Sequence, residues 1–147
     1  MYQDKLLMFS EAQAITATAR STNVIDMLAA ANDIGTGEPL YIAITCSEAF
    51  TAAGAATLTI TIETDNNAAH TSAGVIFTST AIGKASLTLN MEPIYLPVPA
   101  GHVVLWERFW SLNYTVATGP MTAGILTAGV VHGIQKSKAY PSNFVSA

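Results

Sequence analysis

Residues 105–131 hold two runs of strand-forming residues on either side of a Thr118-Gly119-Pro120-Met121 break. This arrangement limits what the chain can fold into more than any other feature. In the first run Trp106, Arg108, Trp110, Leu112, Tyr114 and Val116 share one side of a period-two pattern, and Glu107, Phe109, Ser111, Asn113, Thr115 and Ala117 share the other. Successive side chains of a strand point to opposite faces, so the alternation is that of a half-buried strand. Glycine permits a positive φ and proline has no N–H for a ladder, so the chain reverses at the break. The second run, 123–131, suits a strand despite Gly124 and Gly129. The two runs together read as a long β-hairpin.

The same period recurs upstream. Leu40, Ile42, Ile44 and Cys46 line one side of a strand over 40–46. Over 56–64, Leu58, Ile60 and Ile62 face one way and Thr57, Thr59, Thr61 and Glu63 the other. A threonine face favours a strand while remaining compatible with water or a wet interface. Further strands are expected at 5–9, 22–27, 75–78, 85–90 and 93–96, with loops at 28–39 and 65–72, where turn-forming residues cluster. A helix over 11–20 is disfavoured by Thr16 and Thr18 among the alanines. About eight short strands without a long helix predict an all-β sandwich of jelly-roll or Greek-key type. The expected division is an N-terminal arm with an edge strand over 1–20, a sandwich domain over 21–134 and a C-terminal arm over 135–147.

Composition narrows the function classes. The 147 residues are 50% hydrophobic and only 11% charged, with a net charge of −4, and the mean hydropathy is +0.38. Much of the surface must therefore be Ala, Thr, Ser, Gly and Asn, which is easily desolvated against a neighbouring subunit. No apolar run approaches the ~20 residues of a membrane helix, and the N-terminus lacks the basic and long apolar regions of a signal peptide. Lys5, Arg20, Lys84, Arg108, Lys136 and Lys138 are scattered; nucleic-acid binding needs clustered cations, so none is expected.

The search for chemistry finds little. Cys46 is the single cysteine, so neither an intrachain disulfide nor a multi-cysteine zinc site can form. It continues the apolar face of Leu40, Ile42 and Ile44, where packing explains it better than nucleophilic attack. His70, His102 and His132 stand about thirty residues apart with no metal-ligand spacing around them. No nucleophile elbow or phosphate loop is present. Glu92 and Glu107 are isolated in sequence, without the paired spacing of glycosidase acids. Trp106, Phe109 and Trp110 could stack on a sugar ring, but a shared face with Leu112 favours core or interface. No catalytic residue, cofactor or metal is expected.

Five segments resemble a known family. They are Leu6-Leu7-Met8-Phe9-Ser10 continuing through Ala12-Gln13-Ala14-Ile15-Thr16-Ala17-Thr18-Ala19; Ser21-Thr22-Asn23-Val24-Ile25-Asp26; Asp33-Ile34-Gly35 with Gly37-Glu38-Pro39-Leu40; Phe50-Thr51-Ala52-Ala53-Gly54-Ala55-Ala56-Thr57-Leu58; and Leu112-Asn113-Tyr114-Thr115-Val116-Ala117-Thr118-Gly119-Pro120-Met121-Thr122-Ala123-Gly124. Together, over residues 1 to about 134, they resemble the capsid cement (decoration) proteins of tailed, podophage-type bacteriophages. The resemblance implies a jelly roll without enzyme activity, made in the host bacterial cytoplasm and carried on the outer surface of the virion. There it would oligomerise, with a dimer favoured and a trimer as the alternative, and clamp neighbouring major capsid subunits. The alternative is a carbohydrate- or receptor-binding β-sandwich. Within the tail, Tyr140 and Phe144 flank Pro141, and Lys136 and Lys138 precede them. Aromatic anchors with basic residues at a polar rim suit an arm lying on a neighbouring subunit, so these four are the candidate interface residues.

Overall fold

A computed structural model describes residues 3–28, 38–99 and 106–134. Strands dominate them: β1 (Met8–Ala14), β2 (Ala19–Arg20), β3 (Ile25–Asp26), β4 (Leu40–Thr51), β5 (Thr57–Asp65), β6 (Gly74–Thr78), β7 (Ile82–Gly83), β8 (Ile94–Pro97), β9 (Phe109–Ala117) and β10 (Ala123–His132). Two single 3-10 turns, Lys5–Leu7 and Lys84–Ser86, are the helical elements.

The strands form two antiparallel sheets in the orders β1-β10-β4-β8 and β2-β9-β5-β6, with β3 extending the pairing of β9 and β7 that of β5. Eight principal strands in this alternating order are a jelly roll. Its core lies between the sheets. Leu58, Ile60 and Ile62 of β5 and Leu112 and Tyr114 of β9 face Ile42 and Ile44 of β4 and Leu126 and Ala128 of β10, and all of them are fully buried. Each large apolar side chain so placed contributes roughly 1.5–3 kcal/mol relative to exposure. The period-two faces read from the sequence for 40–46, 56–64 and 106–116 are the faces that meet here.

The expected hairpin over 105–131 needs correction. β9 and β10 are both strands, but they belong to opposite sheets: β9 pairs with β5, and β10 with β4 and β1. Thr118 and Gly119, with φ of 64° and 101°, turn the chain. Met121, 2% exposed, then crosses the end of the core. The crossing is tied down by Met121 N–H to the Thr16 carbonyl at 2.9 Å and Thr122 N–H to that of Thr51 at 2.7 Å. The link from β4 to β5 makes the same crossing beside it, since Thr51 pairs with Ala123 and Thr57 with Ala117. A strand with one apolar face can be matched by a partner beside it or by one across the core, and here the second arrangement holds.

Three smaller expectations also change. Residues 85–90 form no strand; the 3-10 turn and the N–H of Leu87 bonding back to the Lys84 carbonyl take their place. At 5–9 a 3-10 turn capped by Asp4 precedes β1. The stretch read as an N-terminal arm does supply an edge strand, β1. However, Phe9 and Ile15 are fully buried, so from 8 to 20 the chain is part of the sandwich rather than an arm outside it. The C-terminal arm, 135–147, lies outside the described residues.

Candidate interaction surfaces

The two lateral edges of the sandwich differ. On the β1/β2 side the chain stitches the sheets together. The Gln13 side chain donates from Nε2 to the Arg20 carbonyl at 2.8 Å and accepts the Thr22 N–H at 2.9 Å. Asn23 donates from its backbone to the Phe9 carbonyl at 2.9 Å and from Nδ2 to that of Met8 at 3.1 Å. Between the layers, Tyr114 and Ser10 meet hydroxyl to hydroxyl.

On the opposite side the edge strands β6 and β8 stand apart. They leave a groove of about 550 Å³ walled by Phe77, Ile82, Met91, Ile94 and Leu96, with Thr80 at its rim. Elsewhere on the surface, Val75 of β6, opposite Glu63, and Leu89 are 57% and 56% exposed. Pro93 precedes β8 and Pro97 ends it. Proline lacks the N–H that strand addition needs and protects sheet edges from indiscriminate pairing. The groove therefore offers apolar side-chain contact more than an open hydrogen-bonding edge.

A second feature lies on the outer face of the β2-β9-β5-β6 sheet. There Glu63 of β5 stands opposite Ser111 of β9, and the loop over 66–73 returns across them. His70 sits in that loop with φ of 50° and is only 6% exposed. Its Nδ1 lies 3.3 Å from Ser111 Oγ, and its Nε2 is buried without a protein hydrogen-bond partner. Burial, then the nearby Arg20 cation, hold the His70 pKa below the usual imidazole value against the attraction of Asp65, Glu63 and Glu107. Arg20 holds the loop by donating to the carbonyls of Ala69 at 3.2 Å and His70 at 3.4 Å, and pairs with Glu63 at 3.5 Å. The Asp65 carboxylate accepts the backbone N–H groups of Ser72 at 2.8 Å and Asn67 at 2.9 Å. These bonds keep its pKa below the usual carboxylate range.

The other residues singled out in the sequence are placed as follows. Cys46 is buried, and desolvation pushes its thiol up to about 11, where it is a poor nucleophile at neutral pH. Trp110 is 8% exposed and stacked on Trp106 with centroids 4.0 Å apart. Its indole N–H donates to the Glu107 carbonyl at 2.9 Å, so the pair serves the core. His132 is exposed at the end of β10, 4.0 Å from Glu38. His102, Lys136, Lys138, Tyr140 and Phe144 lie outside the described residues. Among the described residues no group of three or more His, Cys, Asp and Glu could hold a metal ion.

Sequence reading missed both the groove and the His70 cluster. The groove depends on which strands become edges, which periodicity does not reveal. The cluster had one visible signal, Glu63 closing an otherwise uncharged threonine face. No curated protein matches the chain. The model of the family described as Bbp16 matches residues 9–130. That span runs from β1 into β10, nearly the whole jelly roll, and the chain belongs to the Bbp16 family.

Proposed function

We propose that this chain is a structural capsid cement (decoration) protein that binds the outer surface of a tailed-phage head and clamps neighbouring major capsid subunits. The observation that carries the reading is the contrast between the two lateral edges. One is closed by the chain's own hydrogen bonds, and the other presents an apolar groove between β6 and the proline-flanked β8. Around it lies a surface poor in charge, whose desolvation against a partner costs little. Among the segments that resemble cement proteins, 6–19 runs from the first 3-10 turn through β1 to the start of β2, and 112–124 runs from β9 through the crossing into β10. The protein is not an enzyme in this reading, and it self-associates, with a dimer favoured over a trimer. The tail residues Lys136, Lys138, Tyr140 and Phe144 add contacts to a neighbouring subunit.

Such a protein acts by mass action. Binding the mature lattice and not its precursor stabilises that lattice by RT ln(1 + [L]/Kd) per site, about 2.7 kcal/mol at a hundredfold excess over Kd. Bridging two capsid subunits adds avidity, because the second contact forms at high effective concentration.

The test is to add purified protein to expanded heads lacking it and to unexpanded precursors, with a glycan array alongside. Saturable binding to expanded heads supports the proposal. Glycan binding without head binding replaces it with the carbohydrate-binding alternative.

A further inference from the structure

We propose that the loop over 66–73 is an acid-released latch: neutral His70 holds it down on the outer face of the β2-β9-β5-β6 sheet, and protonation of that imidazole frees it. Release would uncover Glu63 and Ser111 and change the surface that this sheet presents to a partner.

His70 is buried, and its Nδ1 rests on Ser111 Oγ at 3.3 Å while Nε2 meets no protein acceptor. An imidazolium has an N–H on each nitrogen. In the closed loop the one at Nε2 would therefore be a buried, charged donor without a partner. The charged groups facing His70 come from three elements: Arg20 from β2, Glu63 and Asp65 from β5, and Glu107 just before β9. Each carboxylate is already engaged. Glu63 pairs with Arg20, Asp65 accepts two backbone N–H groups, and Glu107 accepts Asn66 Nδ2 at 2.8 Å. None of these bonds reaches His70 Nε2, which has no hydrogen-bond partner in the closed loop. Opening the loop instead releases the imidazolium to water.

The sign follows from linkage. His70 binds its proton less readily in the closed loop than in water. The closed state is favoured above the ordinary imidazole pKa of about 6.5 and loses ground as pH falls below it. Each pH unit through that window raises the opening constant by up to about tenfold. The Asp65 bonds persist there, because its depressed pKa places their loss below the usual carboxylate range.

The experiment measures amide hydrogen exchange, corrected for intrinsic rates, in the full chain at pH 7.5 and 5.5, together with an NMR titration of the His70 imidazole. Protection in 66–73 should fall about tenfold and His70 should titrate below its ordinary value, while β5 and β9 stay protected. His70→Gln, which keeps a neutral polar side chain, should abolish the pH dependence, and His132→Gln should leave it intact. Unchanged loop protection at pH 5.5 overturns the proposal, as does a transition that persists in H70Q. Should H70Q fail to fold, a wild-type His70 imidazole that titrates at or above its ordinary value overturns it equally.

Discussion

The phenol oxygen of Tyr114 on β9 lies 2.7 Å from the hydroxyl oxygen of Ser10 on β1, a bond between the two sheets with both residues fully buried. Ser10 donates its own proton to Gln13 Oε1 at 2.7 Å, so Tyr114 is the donor to Ser10. Burial raises the phenol pKa, so the donor keeps its proton throughout the neutral and mildly alkaline range. Gln13 in turn holds the Thr22 N–H and the Arg20 carbonyl. This buried network fixes β1 against β2 on the stitched edge.

Its two ends should respond differently to mutation. Tyr114→Phe removes one donor and leaves Ser10 bonded to Gln13, at a cost of about 0.5–1.5 kcal/mol. Ser10→Ala strands the buried phenol O–H and takes one of two donors from Gln13 Oε1, at about 1–3 kcal/mol. Urea denaturation should rank Ser10→Ala as the more damaging, and the reverse order would contradict this account of the donors.

Gly124 has φ of 144°, and an added Cβ would stand 2.4 Å from Phe50 Cδ1. Phe50 is itself 4% exposed and packed in the core. Gly124→Ala should therefore cost about 2–5 kcal/mol through backbone strain and overpacking combined. Made in a Phe50→Ala background, the same change should cost distinctly less, and a double-mutant cycle measures that coupling.

Leu112 faces the core from the middle of β9 with no exposure. Leu112→Ala should lower stability by about 2–5 kcal/mol. An unchanged denaturation midpoint would remove β9 from the centre of the fold.

How much of this was legible in the sequence depended on the range of the interaction. Alternation is local, so the inner faces of β4, β5 and β9 could be read from Ile42, Leu58 and Leu112 directly. Pairing is not local. The Thr118-Gly119-Pro120 break signals a reversal, but only the position of Met121 beneath Thr16 shows that the chain changes sheets there. Likewise nothing near His70 in sequence announces Ser111, forty-one residues away. The strand expected at 85–90 failed because Leu87 is buried from a turn, where a short apolar segment mimics alternation.

Arg108 binds Asp26 through Nε at 2.7 Å and through a second guanidinium nitrogen at 2.8 Å, joining the residue before β9 to β3. This bidentate pairing lowers the Asp26 pKa to about 2. A carboxylate depressed in the folded state stabilises above its ordinary pKa of about 3.8, and that contribution is lost as pH falls through the folded value. The stability gap between wild type and Asp26→Asn should be constant from pH 7 to 5 and shrink between about pH 4 and 2. A gap independent of pH over that range would show that the ion pair contributes nothing.

The central claim is that the open edge of the jelly roll meets the capsid. Thr80 stands exposed at the rim of the groove, so Thr80→Arg should block it without disturbing the core. The deciding measurement is co-sedimentation of wild type and Thr80→Arg with expanded heads that lack this protein. The account predicts saturable binding of wild type at a fixed number of copies per head and at least a tenfold loss of affinity for the variant, about 1.4 kcal/mol. No binding by wild type, or equal binding by a correctly folded variant, would contradict it.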